Sequence, residues 1–142
     1  MLELITISEV NDALAEMVAS FRVELRSYKG IVSRTNVDAG REEMEEYLVA
    51  GFPVFVAMVD GQYAGYVVCR VDSEVVWVES IFVKEEFRRH GVASALHRKA
   101  EDIAASYGDD TVYNYVHPNN HRMIEFLRKR GYTVLNLIEI RK

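Results

Sequence analysis

The sequence holds a single cysteine and only two prolines among 142 residues. Cys69 has no partner in the chain, which excludes an intramolecular disulfide, and its apolar neighbours in YVVCRV indicate a small core residue. Proline is scarce, and 49% of the residues are hydrophobic and 27% charged. This composition is typical of a folded globular protein and not of a disordered chain. At this length we expect one domain, residues 1–142, with a packed core.

Positive charge is also scarce, because 17 Lys and Arg stand against 22 Asp and Glu, a formal net charge of −5. A chain without a basic excess lacks long-range attraction to a phosphate backbone, so nucleic acid is not expected as a partner. No apolar stretch reaches the length of a membrane span, and the first ten residues, which include Glu3 and Glu9, lack a basic and then apolar leader. These features predict a cytoplasmic protein with no membrane partner.

Hydrophobic periodicity predicts the element order βααβββαβαβ. The predicted strands are residues 2–6, 53–59, 62–71, 74–83, 111–116 and 132–140. The first helix follows Ser8 as N-cap, with its apolar positions running from Val10 to Leu25. Further helices are predicted at residues 42–51, 91–107 and 118–131, and residues 29–40 are predicted as a loop. This order indicates a mixed sheet with helices on both faces, an α/β class.

The predicted strand EVVWVESIFV, residues 74–83, is apolar at both alternating sets of positions. One predicted face carries Val75, Trp77, Ile81 and Val83, and the other carries Val76, Val78 and Phe82. A strand of this kind is expected to be buried on both sides.

The helix predicted from residue 91 begins with neither a strong N-cap nor an acidic residue in its first turn. The first amide N–H groups of any helix lack partners within it and carry the positive end of its dipole. Gly91 and Ala93 permit a close approach, and Arg88 and Arg89 add positive charge, so this start predicts a phosphate or pyrophosphate site. The alternative is that Gly91 is only an N-cap and the arginines form a solvated face.

Two motifs resemble those of the GNAT superfamily of N-acetyltransferases. The first, V-x-x-x-x-R-x-x-G-x-A from Val83 to Ala93, resembles the family's acetyl-CoA motif between a central strand and a helix. The second, NNHRMIEFLRKRGY at residues 119–132, resembles the motif N-x-x-A-hydrophobic through to G-[FY]. Asn120 lies 27 residues after Ala93, and the element order also matches, so the resemblance covers nearly the whole chain.

The resemblance implies a GNAT fold with a mixed, mostly antiparallel central sheet, and acetyl-CoA as co-substrate. It implies that the backbone of Ile81 and Val83 pairs with the pantetheine arm and that the amides from Arg89 to Ser94 hold the pyrophosphate. Asn120 is implied to touch the pantetheine, its alternative role being the N-cap of the following helix. The implied cofactor-binding residues are Ile81, Phe82, Val83, Arg88, Arg89, His90, Gly91, Val92, Ala93, Ser94 and Asn120.

Glu79 is an acid within the strand predicted to be buried, where an unpaired charge is costly. Some GNAT members carry a glutamate at the corresponding strand position that deprotonates the amine through water, so the resemblance implies a general base. The alternative is that Glu79 pairs with an arginine or lies at a bulge facing solvent.

The second motif departs from the family at Leu127, where a tyrosine often protonates the departing thiolate, and at Met123, where a small alanine is usual. Tyr115, on the adjoining strand, is the candidate replacement acid. Its alternative role is packing, with the thiolate released directly to water.

The function predicted is transfer of an acetyl group from acetyl-CoA to a primary amine by direct attack, without a metal. His117 and His121 are four residues apart, but Pro118 breaks the helical geometry and no cysteine or acid completes a metal set. The alternatives are a catalytically silent acyl-CoA-binding or regulatory module with the same fold, and an α/β protein whose helix start binds nothing.

The acceptor amine is not defined by any motif. The acids Glu42, Glu43, Glu45 and Glu46 favour a cationic acceptor, such as a polyamine, a lysine or a peptide N-terminus, if they line the cleft; the alternative is that they face bulk water. A homodimer is expected from the resemblance alone.

Overall fold

The computed structural model describes residues 1–140 and residue 142. Its strands are β1 Leu2–Thr6, β2 Val54–Val59, β3 Gln62–Asp72, β4 Val75–Val83 and β5 Val112–Asn114. Its helices are α1 Asp12–Ser27, α2 Val37–Val49, α3 Val92–Ser106 and α4 His121–Lys129, with a short 3₁₀ turn, Glu85–Phe87, after β4.

The five strands form one sheet in the order β1-β2-β3-β4-β5. All neighbours are antiparallel except β4 and β5, which run parallel because α3 connects them as a crossover. The dipeptide Asp60-Gly61 forms the β2–β3 hairpin with φ angles of 49° and 80°, as its residue types predict. The predicted α/β class with a mixed, mostly antiparallel sheet is confirmed.

The sheet separates two apolar cores, one on each face. On the first face, Leu96 and Ala100 of α3 pack against Val67 and Val76. On the second face, Leu14 and Met17 of α1 and Met44 of α2 pack against Tyr66 and Phe82. Burial on both faces explains the long apolar runs of the central strands.

A β-bulge at Glu79 divides β4 into two halves. Val68 pairs with Ser80 and Cys69 pairs with Val78, so Glu79 has no partner in β3. Val76 and Val78 therefore face α3 before the bulge, and Ile81 and Val83 face it afterwards. The predicted faces, which placed Ile81 and Val83 with Trp77, are wrong because they assumed unbroken alternation.

The first two helices begin at residues other than those predicted. Asn11, not Ser8, caps α1, since its Oδ1 accepts from the amide of Leu14 at 2.9 Å and its Nδ2 donates to the Tyr63 hydroxyl at 2.9 Å. The helix α2 starts at Val37, within the predicted loop, because Asn36 caps it through the amide of Ala39.

The last predicted strand is not formed. Residues 133–140 take part in no strand ladder among the described residues, and β5 covers three of the six residues predicted for it. A strand requires a neighbour for its backbone groups, and sequence periodicity does not say whether one is in reach. The predicted order βααβββαβαβ therefore loses its final strand.

Gly65 in β3 allows a close approach between β3 and β4. A Cβ at this position would lie 2.5 Å from the carbonyl oxygen of Phe82 and 3.2 Å from the Cα of Val83. We expect Gly65→Ala to lower the free energy of unfolding by about 1–3 kcal/mol, because backbone has to move. Urea unfolding measures this, with Gly51→Ala as the comparison; its Cβ meets nothing within 4 Å, so only its left-handed φ costs stability. Wild-type stability in Gly65→Ala would contradict the close approach.

Candidate functional site

Beyond the bulge, the edge of β4 that faces β5 has no strand partner in the described part of the chain. The β4–β5 ladder covers only residues 76–78 and 112–114. The amide of Lys84 donates to the carbonyl of Ala64 on β3 at 2.9 Å. Because backbone groups alternate between the two edges of a strand, those of Ile81 and Val83 point to the open edge. An extended ligand with amide groups can pair there as a strand would.

Arg88 occupies one of these backbone groups. Its Nε donates to the Val83 carbonyl at 2.9 Å, and its guanidinium carbon lies 5.8 Å from the centre of the Phe82 ring. The open edge therefore offers both backbone groups of Ile81 but only the N–H of Val83. Arg88 therefore contacts this edge of β4 through the backbone carbonyl of Val83.

The turn from Arg89 to Ser94 exposes a cluster of backbone donors. Arg89 and Gly91 have φ angles of 66° and 78°, and Gly91 caps α3 with no side-chain hydrogen bond and no acid in the first turn. Among residues 1–140 and 142, no acceptor receives a hydrogen bond from the amides of residues 89–94. Successive free amides at a helix start form a concavity for an anion, and a diphosphate matches it in charge and size.

Asn120 has one of the two roles that its sequence position left open, the N-cap of α4. Its Oδ1 accepts from the amide of Met123 at 3.2 Å, so the residue is the N-cap of α4. Its side chain is buried, and its Nδ2 donates to no acceptor within the described residues. The cap bond uses the Oδ1 and leaves the Nδ2 available to a ligand.

Glu79 lies on the bulge and is paired with an arginine, as the alternative interpretation held. Its Oε2 accepts from Nε of Arg70 at 3.0 Å, and its side chain is 27% exposed. Arg70 also binds Asp72 and lies over the Trp77 ring at 5.1 Å. The expectation of an unpaired acid buried on both faces is corrected, because the bulge turns Glu79 towards Arg70.

Tyr115, the other candidate catalytic residue, follows the end of β5 and is 63% exposed. Its ring stacks on Trp77 with 4.8 Å between ring centres and 13° between planes. Tyr115 and Glu79 therefore both contact the Arg70–Trp77 pair, Tyr115 through the indole and Glu79 through the guanidinium. Leu127, at the family's tyrosine position, is buried.

Sequence reasoning did not predict a cluster of polar side chains between α2 and β4, formed by Tyr47, Glu43 and Arg22. The Tyr47 hydroxyl donates to Glu43 Oε2 at 2.9 Å, and Glu43 also binds Arg22 of α1. Burial, then the charge of Glu43 and its hydrogen bond, and then the charge of Glu79 raise the pKa of Tyr47. Helical periodicity placed Glu43 in an acidic face, and no local signal marks it as turned inwards.

The four acids of α2 do not all point to solvent. Glu42, Glu45 and Glu46 are exposed, whereas Glu43 is largely buried by Arg22 and Tyr47. Glu43 therefore lies on a different side of α2 from the other three acids.

The end of α1 contacts both the turn after β4 and the start of α4. Glu24 accepts from Arg88 at 3.2 Å and from Arg122 of α4. Tyr28 donates to Glu24 at 3.1 Å, and its own carbonyl accepts from Asn119 Nδ2 at 2.7 Å. The pKa of Tyr28 is raised, first by burial and then by the charge of Glu24. Glu24 thus holds the turn after β4 and the start of α4 in fixed positions.

His117 and His121, the two histidines considered as metal ligands, have other structural roles. His117 stacks on Tyr28 and accepts from the amide of Asn119 at 3.0 Å, and His121 is the first residue of α4. Within residues 1–140 and 142, no three His, Cys, Asp or Glu side chains are grouped so as to hold a metal ion. None of the described helices has the length and apolar character needed to span a bilayer.

A buried histidine links α3, β5 and the end of α4. The Nε2 of His97 lies 3.0 Å from Asn114 Oδ1, and its ring meets the ring of Tyr132 edge-on at 5.0 Å. Within the described part of the chain its Nδ1 has no hydrogen-bond partner, and it lies 3.6 Å from Glu101. Burial lowers the pKa of His97 below its usual value of 6.5, so the folded protein holds it neutral.

This histidine predicts acid sensitivity of the fold. Because the folded pKa is depressed, the unfolded chain takes up the proton first, and stability is lost as pH falls below about 6.5. We expect the free energy of unfolding to fall between pH 7.5 and 5.5 with a slope of at most about 1.4 kcal/mol per pH unit from this group. Denaturant titrations of wild type, His97→Gln and the exposed control His90→Gln test this. An equal slope in His97→Gln would contradict the assignment.

Comparison with known proteins identifies the family. Residues 19–132 match the family described as acetyltransferase (GNAT). The match spans most of the chain, and the protein belongs to the GNAT family of N-acetyltransferases.

A curated relative, an uncharacterized N-acetyltransferase of Methanocaldococcus jannaschii, is 33% identical over 85 residues. The match covers 55% of this chain and 38% of the relative, so the chain spans about two-fifths of that protein's length.

Solved structures share the fold over nearly the whole chain. The aminoglycoside N-acetyltransferase AAC(6')-Iy in complex with CoA is 25% identical, with a TM-score of 0.72 over 100% of this chain and 95% of that one. The PaiA N-acetyltransferase of Thermoplasma acidophilum in complex with coenzyme A is 17% identical, with a TM-score of 0.72 over 92% and 88%. The second likeness shows the fold alone.

Proposed function

We propose that the protein is an enzyme that transfers an acetyl group from acetyl-CoA to a primary amine. The observation that carries this proposal is the set of free amides from Arg89 to Ser94, next to the open edge of β4. Membership of the GNAT family and a fold shared with CoA-bound structures support the same ligand.

The residues of the chain fit coenzyme A group by group. The amides of residues 89–94, with the positive end of the α3 dipole, hold the diphosphate. The backbone of Ile81 and the N–H of Val83 pair with the pantetheine amides, and Asn120 Nδ2 adds a further donor. Bound acetyl-CoA supplies an acetyl group activated as a thioester. Orientation of the two reactants contributes much of the rate in such a site.

Glu79 is the proposed general base. An amine acceptor is an ammonium ion at neutral pH and has to lose a proton before its nitrogen can attack. Glu79 takes this proton directly or through water, and Arg70 fixes the carboxylate at the bulge. Tyr115 is the proposed proton donor to the departing thiolate, and release of the thiolate to water is its alternative.

The proposed acceptor is a cationic primary amine on the α1–α2 side of the sheet. Glu79 and Glu43 place negative charge there, and Tyr47 adds a hydroxyl group. A polyamine, a lysine side chain, a peptide N-terminus or an aminoglycoside amine fits this charge, the last being the acceptor class in the name of AAC(6')-Iy. A cytoplasmic location and a homodimer are parts of the same proposal.

The second candidate function is a catalytically silent acyl-CoA-binding or regulatory module. Leu127 at the usual tyrosine position and the ion pair of Glu79 with Arg70 favour it.

One experiment separates the candidates. Calorimetry with coenzyme A is followed by a free-thiol assay with acetyl-CoA and a panel of polyamines, aminoglycosides, lysine peptides and free N-terminal peptides. Binding with acceptor-dependent thiol release supports the enzyme. Binding without release by any acceptor supports the silent module, and no heat with millimolar coenzyme A rejects both.

A further inference from the structure

Glu24, near the end of α1, connects two separate parts of the proposed coenzyme A site. Its carboxylate accepts from the guanidinium of Arg88 at 3.2 Å and from that of Arg122 in the first turn of α4. Arg88 directly precedes the free amides of residues 89–94, and Arg122 lies two residues after Asn120. One carboxylate therefore links the proposed diphosphate site to the proposed pantetheine contact.

Packing alone gives the start of α4 little support. Of the nine residues of this helix only Leu127, in its last turn, is buried. Three side-chain contacts attach the start of α4 to the end of α1: Arg122 with Glu24, the Asn119 amide with the Tyr28 carbonyl at 2.7 Å, and the His117 ring with the Tyr28 ring. The position of the N-cap Asn120 therefore depends on these contacts.

On the other side, Arg88 joins Glu24 to the backbone of β4. Its Nε donates to the Val83 carbonyl at 2.9 Å while its Nη2 donates to the Glu24 carboxylate. The side chains of Arg88 and Glu24 are 21% and 20% exposed. Because a partly buried ion pair is screened less than an exposed one, this pair can hold the turn after β4 against α1.

Charge alone would make Glu24 unfavourable for coenzyme A. Among the residues that the structure describes, it is the one carboxylate paired with Arg88 or with Arg122, so it neutralises two cations, one of which adjoins the anion site. Like charges repel, so by charge alone this carboxylate lowers the affinity for a diphosphate. A favourable effect of Glu24 on coenzyme A binding has to come from geometry.

We propose that Glu24 is a positioning residue for coenzyme A. Its two arginines hold the turn of residues 89–94 and the N-cap Asn120 at the spacing that one coenzyme A molecule spans, from its diphosphate to its pantetheine. Fixing this spacing before binding reduces the ordering cost of the complex. A ligand that reaches both parts gains from it, and a ligand that reaches only the diphosphate site does not. The inference rests on the proposed function, in its binding of coenzyme A.

The test compares two ligands in Glu24→Gln, by calorimetry with coenzyme A and with ADP, which carries a diphosphate but no pantetheine. We expect the dissociation constant for coenzyme A to rise at least about 10-fold, within the range of coupling between contacting residues. The dissociation constant for ADP should stay the same or fall, because two cations are released. A general loss of structure weakens both ligands together, whereas lost positioning changes their ratio.

Glu125→Gln is the matched control. It makes the same change from carboxylate to amide in another ion pair of α4, with Arg128, but this pair lies within one helix. The ratio of the two dissociation constants should therefore stay at the wild-type value.

Arg122→Gln tests the α4 side of the connection through a side chain that is 55% exposed. This variant should also weaken coenzyme A relative to ADP, and Glu24→Gln/Arg122→Gln should be no weaker than Glu24→Gln alone, because both changes break the same contact. A wild-type ratio in Glu24→Gln, or independent effects of the two changes, overturns the inference alone. A wild type that binds no coenzyme A rejects the proposed function as well.

Discussion

Ser94→Glu is expected to lower the affinity for coenzyme A by at least about 100-fold while leaving the fold intact or more stable. Ser94 is in the first turn of α3, where an acid interacts favourably with the helix dipole, by about 0.3–1 kcal/mol. The same carboxylate competes for the free amides and repels a diphosphate, and like charges in contact cost several kcal/mol. Calorimetry with coenzyme A and thermal unfolding measure the two effects.

The opposite signs make this variant informative. An ordinary destabilising substitution lowers affinity and melting temperature together, whereas Ser94→Glu should separate them. Ser94→Gln is the matched control, because it adds a side chain of the same size without charge, and we expect a much smaller loss of affinity. Wild-type affinity in a folded Ser94→Glu protein would remove the anion site from the start of α3.

Glu79→Gln is expected to reduce kcat by about 10²–10⁴-fold, the range for loss of a general base. The amide keeps the size of the side chain and can still accept a hydrogen bond from Arg70, so the bulge and the fold should persist. The backbone that is proposed to bind coenzyme A is unchanged, and we expect its dissociation constant to change by less than about threefold. Steady-state thiol release and calorimetry give the two quantities once an acceptor is known.

Asp72→Asn is the control for Glu79→Gln. Asp72 is the other carboxylate on Arg70 but lies at the end of β3 and is largely exposed. Its neutralisation disturbs the same arginine without removing the proposed base, so kcat should stay near the wild-type value. Equal loss in both variants would mean that the charge balance of Arg70, and not proton transfer by Glu79, sets the rate.

Local signals in the sequence predicted those parts of the protein that depend on a few adjacent residues. Asp60-Gly61 predicted the hairpin because only residues tolerant of positive φ close so tight a turn. Gly91 and the missing acids of α3 predicted the free amides, because the number of unpartnered groups at a helix start is fixed by geometry. The GNAT motifs added the family, which the match over residues 19–132 confirmed.

Features that depend on distant residues were not predictable in this way. The early start of α2 includes Gly40, where a Cβ would lie 2.5 Å from the carbonyl oxygen of Ala15 in α1, so glycine serves helix contact and not a loop. The inward direction of Glu43 depends on Arg22, 21 residues away. Whether residues 133–140 form a strand depends on whether a strand edge is in reach, which periodicity does not encode.

The bulge at Glu79 divides β4 into two halves that differ in their tolerance of charged side chains. Before Glu79, half-buried positions alternate with buried ones, whereas residues 80–83 are all buried. A scan of charged substitutions should therefore show alternating tolerance before Glu79 and uniformly low tolerance after it. Deleting Glu79 would remove the bulge and leave Val78 and Ser80 adjacent opposite Cys69 and Val68, so that regular alternation keeps the inner side chains of both halves on the α3 face. A one-residue deletion elsewhere in β4 would exchange the inner and outer side chains of one half and should therefore be more damaging than deletion of Glu79.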